Sequence, residues 1–180
     1  MKRGWLVAGL MALMLGAGLQ ARAQTMPMGE HESMPMKPAV ASTTLTVAFD
    51  GKATTLSVAD LQAMPQTTLT AKNGHNGKDE TYTGVAVGDL LAKLGFTFDN
   101  KTAKRRYRSY VKAEGTDGYW VLYSASELTP ILRETASLVA LRVDGKPLGD
   151  EGAFKIVIAG EKRPARWVRN LKALSVVTLE

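Results

Sequence analysis

The sequence contains no cysteine. That excludes thiol nucleophiles, zinc–thiolate and iron–sulfur centres and disulfide staples. Histidine is nearly as scarce, with only His31 and His75. His75 sits between the turn-forming pairs Asn73-Gly74 and Asn76-Gly77, so the local pattern describes a loop histidine rather than a member of a Ser–His–Asp set. No phosphate-cradling fingerprint is present either. "NGHNGKDE" is glycine-rich but lacks the spacing and the Lys-Ser/Thr ending of a P-loop.

Long apolar runs are confined to the first residues. "MKRGWLVAGLMALMLGAGLQARA" places Lys2 and Arg3 before an apolar stretch that closes in Ala21-Arg22-Ala23. This is the layout of a secretory signal peptide over residues 1–23, and its apolar part is short for a membrane span, which needs about 20 residues. The expected location is periplasmic or secreted, without stable membrane insertion after cleavage. Loss of Lys2, Arg3 and Arg22 takes the formal net charge from +6 to +3. Basic character is then local, in Lys101, Lys104, Arg105, Arg106, Arg108 and Lys112, and again in Lys162, Arg163, Arg166, Arg169 and Lys172.

Residues 24–42 carry Pro27, Pro35 and Pro38 with almost no aromatic or β-branched side chains, the composition of a disordered linker. Met26, Met28, Met34 and Met36 form two Met-x-Met pairs around His31. Soft thioethers and an imidazole suit Cu(I). A plain spacer and a copper-binding tail are the two readings of this segment.

From residue 43 the chain changes to short β-rich runs punctuated by turns. "TTLTVAF", Asp50-Gly51 and "KATTLSV" describe a hairpin. "SVADLQAM" is a helix capped at Ser57, and "VGDLLAKLG" is an amphipathic helix with Gly95 just past its end. "QTTLTA", "ETYTGV", "RYRSYVKAEG", "YWVLYS", "SLVALRV", "FKIVIA" and "ALSVVTL" are strands, and "SASELTPIL" is helical or turn-like. In "RYRSYVKAEG", alternation puts Arg106, Arg108 and Tyr110 on one solvated face. A basic-aromatic face of that kind also suits nucleic acid, but an exported chain argues against such a partner. The expected fold is α+β and mostly β, with mixed sheets and short helices over residues 43–180.

"GEKRPARWVRN" follows the expected core strand "FKIVIA" and gathers Lys162, Arg163, Arg166 and Arg169 beside Trp167. Guanidinium forks match carboxylate and phosphate oxygens, so the segment reads as a candidate site for an anionic small molecule or partner protein. Trp167 either stacks on a ligand or fills core.

"YTGVAVGDLL", "EGTDGYWVLYSASEL", "LVALRVDGKPLGDEGAFKIVIAG" and "KRPARWVRNLKALSV" occur in that order. Together they resemble the oxidoreductase molybdopterin-binding domain family, of sulfite-oxidase-type fold. The resemblance implies molybdopterin as a possible cofactor, with molybdenum held by the pterin dithiolene and one protein cysteine upstream of "YTGVAVGDLL". Here that region reads "TTLTAKNGHNG", and Thr70 is the nearest stand-in by order along the chain. The resemblance also implies a Ser-x-Lys-Trp grip on the pterin phosphate. This chain reads Pro164-Ala165-Arg166-Trp167, which keeps a cation and the aromatic but not the hydroxyl. The family's cofactor is inserted before export of the folded protein, usually by a twin-arginine signal, whereas Lys2-Arg3 resembles a general secretory one. The leading expectation is therefore a non-catalytic binding module for an anion. The alternatives are a molybdopterin-dependent oxidoreductase with an atypical metal ligand and a copper-binding protein. Exported protein should begin at Gln24 by mass spectrometry, and an intact Met1 would contradict the signal reading.

Overall fold

The computed structural model describes residues 40–74, 76–97, 103–129, 137–161 and 164–180. The expected Met/His tail (Met26, Met28, His31, Met34, Met36), His75, Lys162 and Arg163 lie outside the described residues. Among the described residues no helix is long and apolar enough to cross a membrane.

The strands β1 (Thr44–Phe49) and β2 (Lys52–Ser57) form the expected hairpin. Its two turn residues, Asp50 and Gly51, both take positive φ, 55° and 72°. That backbone twist matches the twist of the strands, and Asp-Gly supplies it at low steric cost. Ser57 caps α1 (Val58–Gln62) through a capping box. Its hydroxyl accepts from the Asp60 N–H at 3.2 Å, and the Asp60 carboxylate accepts from the Ser57 N–H at 2.8 Å. Next come β3 (Thr67–Lys72), β4 (Asp79–Ala86), α2 (Val87–Lys93), α3 (Ala103–Tyr107), β5 (Ser109–Gly115) and β6 (Trp120–Ser124). The chain ends with β7 (Ser137–Val143), β8 (Lys146–Pro147), β9 (Lys155–Ile158) and β10 (Leu171–Thr178).

Two sheets result. One has the order β2-β1-β10-β5-β6, with β1 and β10 parallel. The other has the order β3-β4-β7-β8, and β9 also pairs with β7. Leu45, Val47, Val111, Leu174 and Val176 of the first sheet meet Val85, Val139, Ile156 and Ile158 of the second in the main core. The second sheet has another apolar face, where Leu69, Ala71, Tyr82, Leu138, Val157 and Trp167 cluster. With apolar layers on both sides, β7 and β9 cannot alternate polar and apolar. That is why "SLVAL" and "KIVI" are buried throughout.

The expected strand "RYRSYVKAEG" forms only from Ser109, and its first residues, Arg106–Arg108, differ from expectation. Lys104, Arg105, Arg106 and Tyr107 form a helical turn, closed where the Ser109 hydroxyl donates to the Arg105 carbonyl at 2.7 Å. Arg and Lys favour helix as readily as strand in an alternating run, and here the turn wins. Arg106 is buried instead of solvated, its guanidinium 5.4 Å from the Tyr107 ring centre. Arg105 lies over Phe49 at 4.6 Å and pairs with Asp50 at 3.3 Å. The basic run is thus divided among different environments.

Asn170 ties distant segments together. Its left-handed backbone (φ 48°) donates to the Glu151 carbonyl at 2.7 Å and accepts from the Thr116 N–H at 3.0 Å. Its side-chain oxygen accepts from the Ser42 N–H at 3.3 Å. This knot fixes where the loop before β10 meets the 3-10 turn Gly149–Glu151. A second fixed point is Gly84, at the irregularity where β4 meets β7. A Cβ there would lie 2.0 Å from the Val139 carbonyl oxygen, which is backbone and cannot swing aside. Gly84→Ala should therefore lower folding stability by about 2 kcal/mol or more, read from denaturant midpoints. An unchanged midpoint would contradict this close approach.

Candidate functional site: a cavity over the second apolar cluster

Lys155 opens β9 on the same face as Val157 and Ala159, so the strand's alternation turns its ammonium toward the second apolar cluster. The side chain is only 6% exposed. Its Nζ lies 5.2 Å from the Tyr82 ring centre and 5.3 Å from that of Trp167. The two rings meet edge to face at 5.6 Å. Both carboxylate oxygens of Glu151 accept from the ammonium, at 2.7 and 2.8 Å. A charge this deep needs such a partner, because the low-polarity surroundings replace little of its lost hydration.

Above this pair opens a cavity of about 520 Å³, within the size range of small-molecule sites. The loop after β3 (Asn73, Gly74) and the β5–β6 turn (Asp117, Tyr119) form part of its wall; Pro164, Trp167 and Arg169 approach from the opposite end of the chain. Gly74 sits so close to Pro164 that a Cβ would lie 2.2 Å from the proline Cδ. The segment after Trp167 is laid along β9, with the Ile156 N–H donating to the Val168 carbonyl at 3.1 Å. The indole N–H of Trp167 donates to the Ile158 carbonyl at 3.2 Å. Trp167 is buried, so it fills core and presents only part of itself to the cavity.

The polar network continues behind the wall. The Tyr82 hydroxyl donates to Glu80 at 2.6 Å, and the side chains of Asn73 and Asn76 donate to the other Glu80 oxygen at 2.8 and 3.1 Å. Burial works upward on the Glu80 carboxyl. The hydrogen bonds from Tyr82, Asn73 and Asn76 and the charge of Lys155 outweigh it and hold the group below its ordinary value. Burial, and then the hydrogen bond to Glu80, push the Tyr82 phenol well above the usual range, so it stays a donor.

Of the expected cation-and-tryptophan positions, the three described ones separate. Trp167 and Arg169 line the cavity. Arg169 is exposed and has no acidic partner among the described residues. Arg166 does not line it. Its guanidinium lies 2.6 Å from a Glu127 oxygen, 3.5 Å from Glu161 and 4.5 Å from the Tyr123 ring centre. Its backbone carbonyl accepts from the Tyr123 hydroxyl. Two carboxylates thus already neutralise the cation that most resembled a phosphate grip.

Thr70 also lies elsewhere. It is exposed, its hydroxyl 3.4 Å from that of Thr81, while the adjacent Ala71 points into the Trp167 cluster. Thr70 is therefore one residue out of phase with the cavity side of β3. Among the described residues no group of three or more His, Asp or Glu side chains is placed to hold a metal ion, and the chain supplies no thiolate. The donor set does not fit a thiolate-held molybdenum.

Lys155, Glu151, Asp117 and Tyr119 were not singled out from the sequence. One signal was available: a lysine opening an otherwise apolar core strand is rarely buried without a purpose or a partner.

No family model matches the chain, and no curated protein does. Among solved structures, it is similar to the sulfane dehydrogenase SoxCD from Paracoccus pantotrophus. The TM-score is 0.59 and the identity 18%, over 79% of this chain and 40% of that one. The chain thus spans about two-fifths of that protein's length. At this identity the likeness is one of fold. The domain is α+β, mostly β, and sulfite-oxidase-like.

The Glu80 network has a definite pH signature. A carboxyl depressed on folding adds stability above its ordinary value of 4.5 and loses that contribution as the pH falls through the folded-state value. Glu80→Gln should therefore be less stable than the unsubstituted protein at neutral pH. The difference should shrink below about pH 4.5. A difference in denaturant midpoints that stays constant from pH 7 to pH 3 would contradict the network.

Proposed function

We propose that this chain is an exported, non-catalytic binding module of sulfite-oxidase-like fold, and that the cavity over Lys155 and Trp167 receives an anionic ligand. One observation carries the reading: among the described residues the Arg169 guanidinium on the cavity wall has no ion pair, while Glu151 there is neutralised by Lys155 and Asp117 is hydrogen-bonded within the β5–β6 turn. Asp117 accepts from the Tyr119 N–H at 2.9 Å, and Glu151 is held by Lys155. The anion-facing role first suggested by the sequence for Arg166 thus passes to Arg169.

A second reading, a molybdopterin-dependent oxidoreductase, has the fold likeness to a sulfane dehydrogenase in its favour. Against it stands the chemistry of the chain's own donors. A threonine hydroxyl ionises far less readily than a thiol, and Thr70 is turned away from the cavity. Protein offered mature cofactor under reducing conditions should show no oxygen-atom transfer. Stoichiometric molybdenum with turnover would favour the enzyme.

Inorganic phosphate is a direct probe of the anion reading. Removing a charge-assisted contact typically forfeits about 1.5 kcal/mol or more. Arg169→Ala should weaken phosphate binding roughly tenfold or more by calorimetry. Arg166→Ala should leave that affinity unchanged and lower thermal stability, since it removes the ion pairs with Glu127 and Glu161. The opposite pattern would move the site to Arg166.

A further inference from the structure

We propose that the buried Lys155 ammonium is an oxyanion-receiving group and that Glu151 is its built-in, displaceable occupant. The inference deepens the cavity reading above and rests on it. It names the ligand chemistry: a compact oxyanion, such as phosphate or sulfate, or a molecule carrying one.

The geometry is that of a filled site. Glu151 places both carboxylate oxygens on one ammonium, at 2.7 and 2.8 Å, as a bound anion would. Tyr82 and Trp167 flank Lys155, and Lys155 and Glu151 both border the cavity. The burial is unequal. The lysine side chain is 6% exposed and the glutamate 28%, so the carboxylate is the solvent-reached member of the pair.

The way the two are anchored favours exchange. Lys155 is fixed in β9, which pairs with β7 through Ala140. The Glu151 backbone is equally fixed, since its carbonyl accepts from the Asn170 N–H at 2.7 Å. Only the Glu151 side chain has to move, and it does so by rotation about its own bonds. The ammonium cannot be left bare, because an uncompensated buried charge is costly. Glu151 therefore leaves only as another anion arrives, and neutral molecules do not open the site. Arg169 on the same cavity supplies a second positive charge beside the lining carboxylate of Asp117, so an arriving oxyanion meets a cation besides Lys155.

The test is a phosphate titration at constant ionic strength of the mature protein, Glu151→Gln, and Glu151→Gln combined with Lys155→Met. Glu151→Gln keeps the shape and removes the competing charge. It should bind phosphate at least about tenfold tighter than the unsubstituted protein. It should also melt lower than that protein without phosphate and regain stability as phosphate is added. The double variant should lose the gain. Should Glu151→Gln not fold, Glu151→Asp loosens the same cap and should show a smaller tightening. Two results would overturn the displacement idea while leaving the cavity reading intact. One is no tightening in Glu151→Gln while Arg169→Ala still weakens binding. The other is a gain that survives Lys155→Met. Absence of phosphate binding in every form would remove both.

Discussion

A lysine ammonium sealed between two aromatic rings needs a counter-charge, and much of this domain's second layer is arranged around supplying it. Lys155 is placed there by strand alternation, and Glu151 by a 3-10 turn held through Asn170. Trp167 is held by a backbone carbonyl of the same strand, and Tyr82 is locked to Glu80. Glu151 lies four residues before Lys155, whereas Tyr82 and Trp167 come from other stretches of chain. The ion pair, made within one short stretch, is thus a point at which that stretch must agree in position with β4 and with the loop before β10. Hydrophobic burial supplies most of the driving force for such a domain, while the buried charge narrows which arrangement is acceptable.

The same arrangement explains why a cavity exists on this side of the second sheet. The loop after β3 and the loop before β10 close on each other at Gly74 and Pro164, with no room for even a methyl group between them. Below them lie polar groups that cannot pack like alkyl chains. An opening lined by Lys155, Trp167 and Arg169 is the consequence. Among the described residues, Lys155 and Glu151 neutralise each other there, while Arg169 and Asp117 carry charges without an ion pair. The main core between the two sheets is by contrast dominated by apolar packing.

Much of the fold was legible because local signals agreed with it. Asp50-Gly51 gave a hairpin, the Ser57–Asp60 box gave a helix start, and unbroken apolar runs marked the doubly covered strands. The start of "RYRSYVKAEG" was misjudged because alternation and helix propensity gave competing signals, and Arg106 and Tyr107 belong to a helical turn while the strand begins at Ser109. The site was legible only as a region. "KRPARWVRN" held Trp167 and Arg169, yet the acids that neutralise Arg166 are Glu161 close by and Glu127, 39 residues away. Long-range pairing of that kind leaves no trace in local spacing. Lys155 was hidden for the opposite reason: it occupies a core strand whose neighbours look like packing.

The most direct test uses Trp167 and Trp120 as opposed reporters. Trp167 borders the cavity with its indole N–H on the Ile158 carbonyl, whereas Trp120 is exposed on the edge strand β6 of the other sheet. In an NMR titration with inorganic phosphate at fixed ionic strength, the account predicts that the Trp167 indole resonance shifts saturably while that of Trp120 stays in place. A saturable shift at Trp120 alone, or no saturable shift at either, would contradict it.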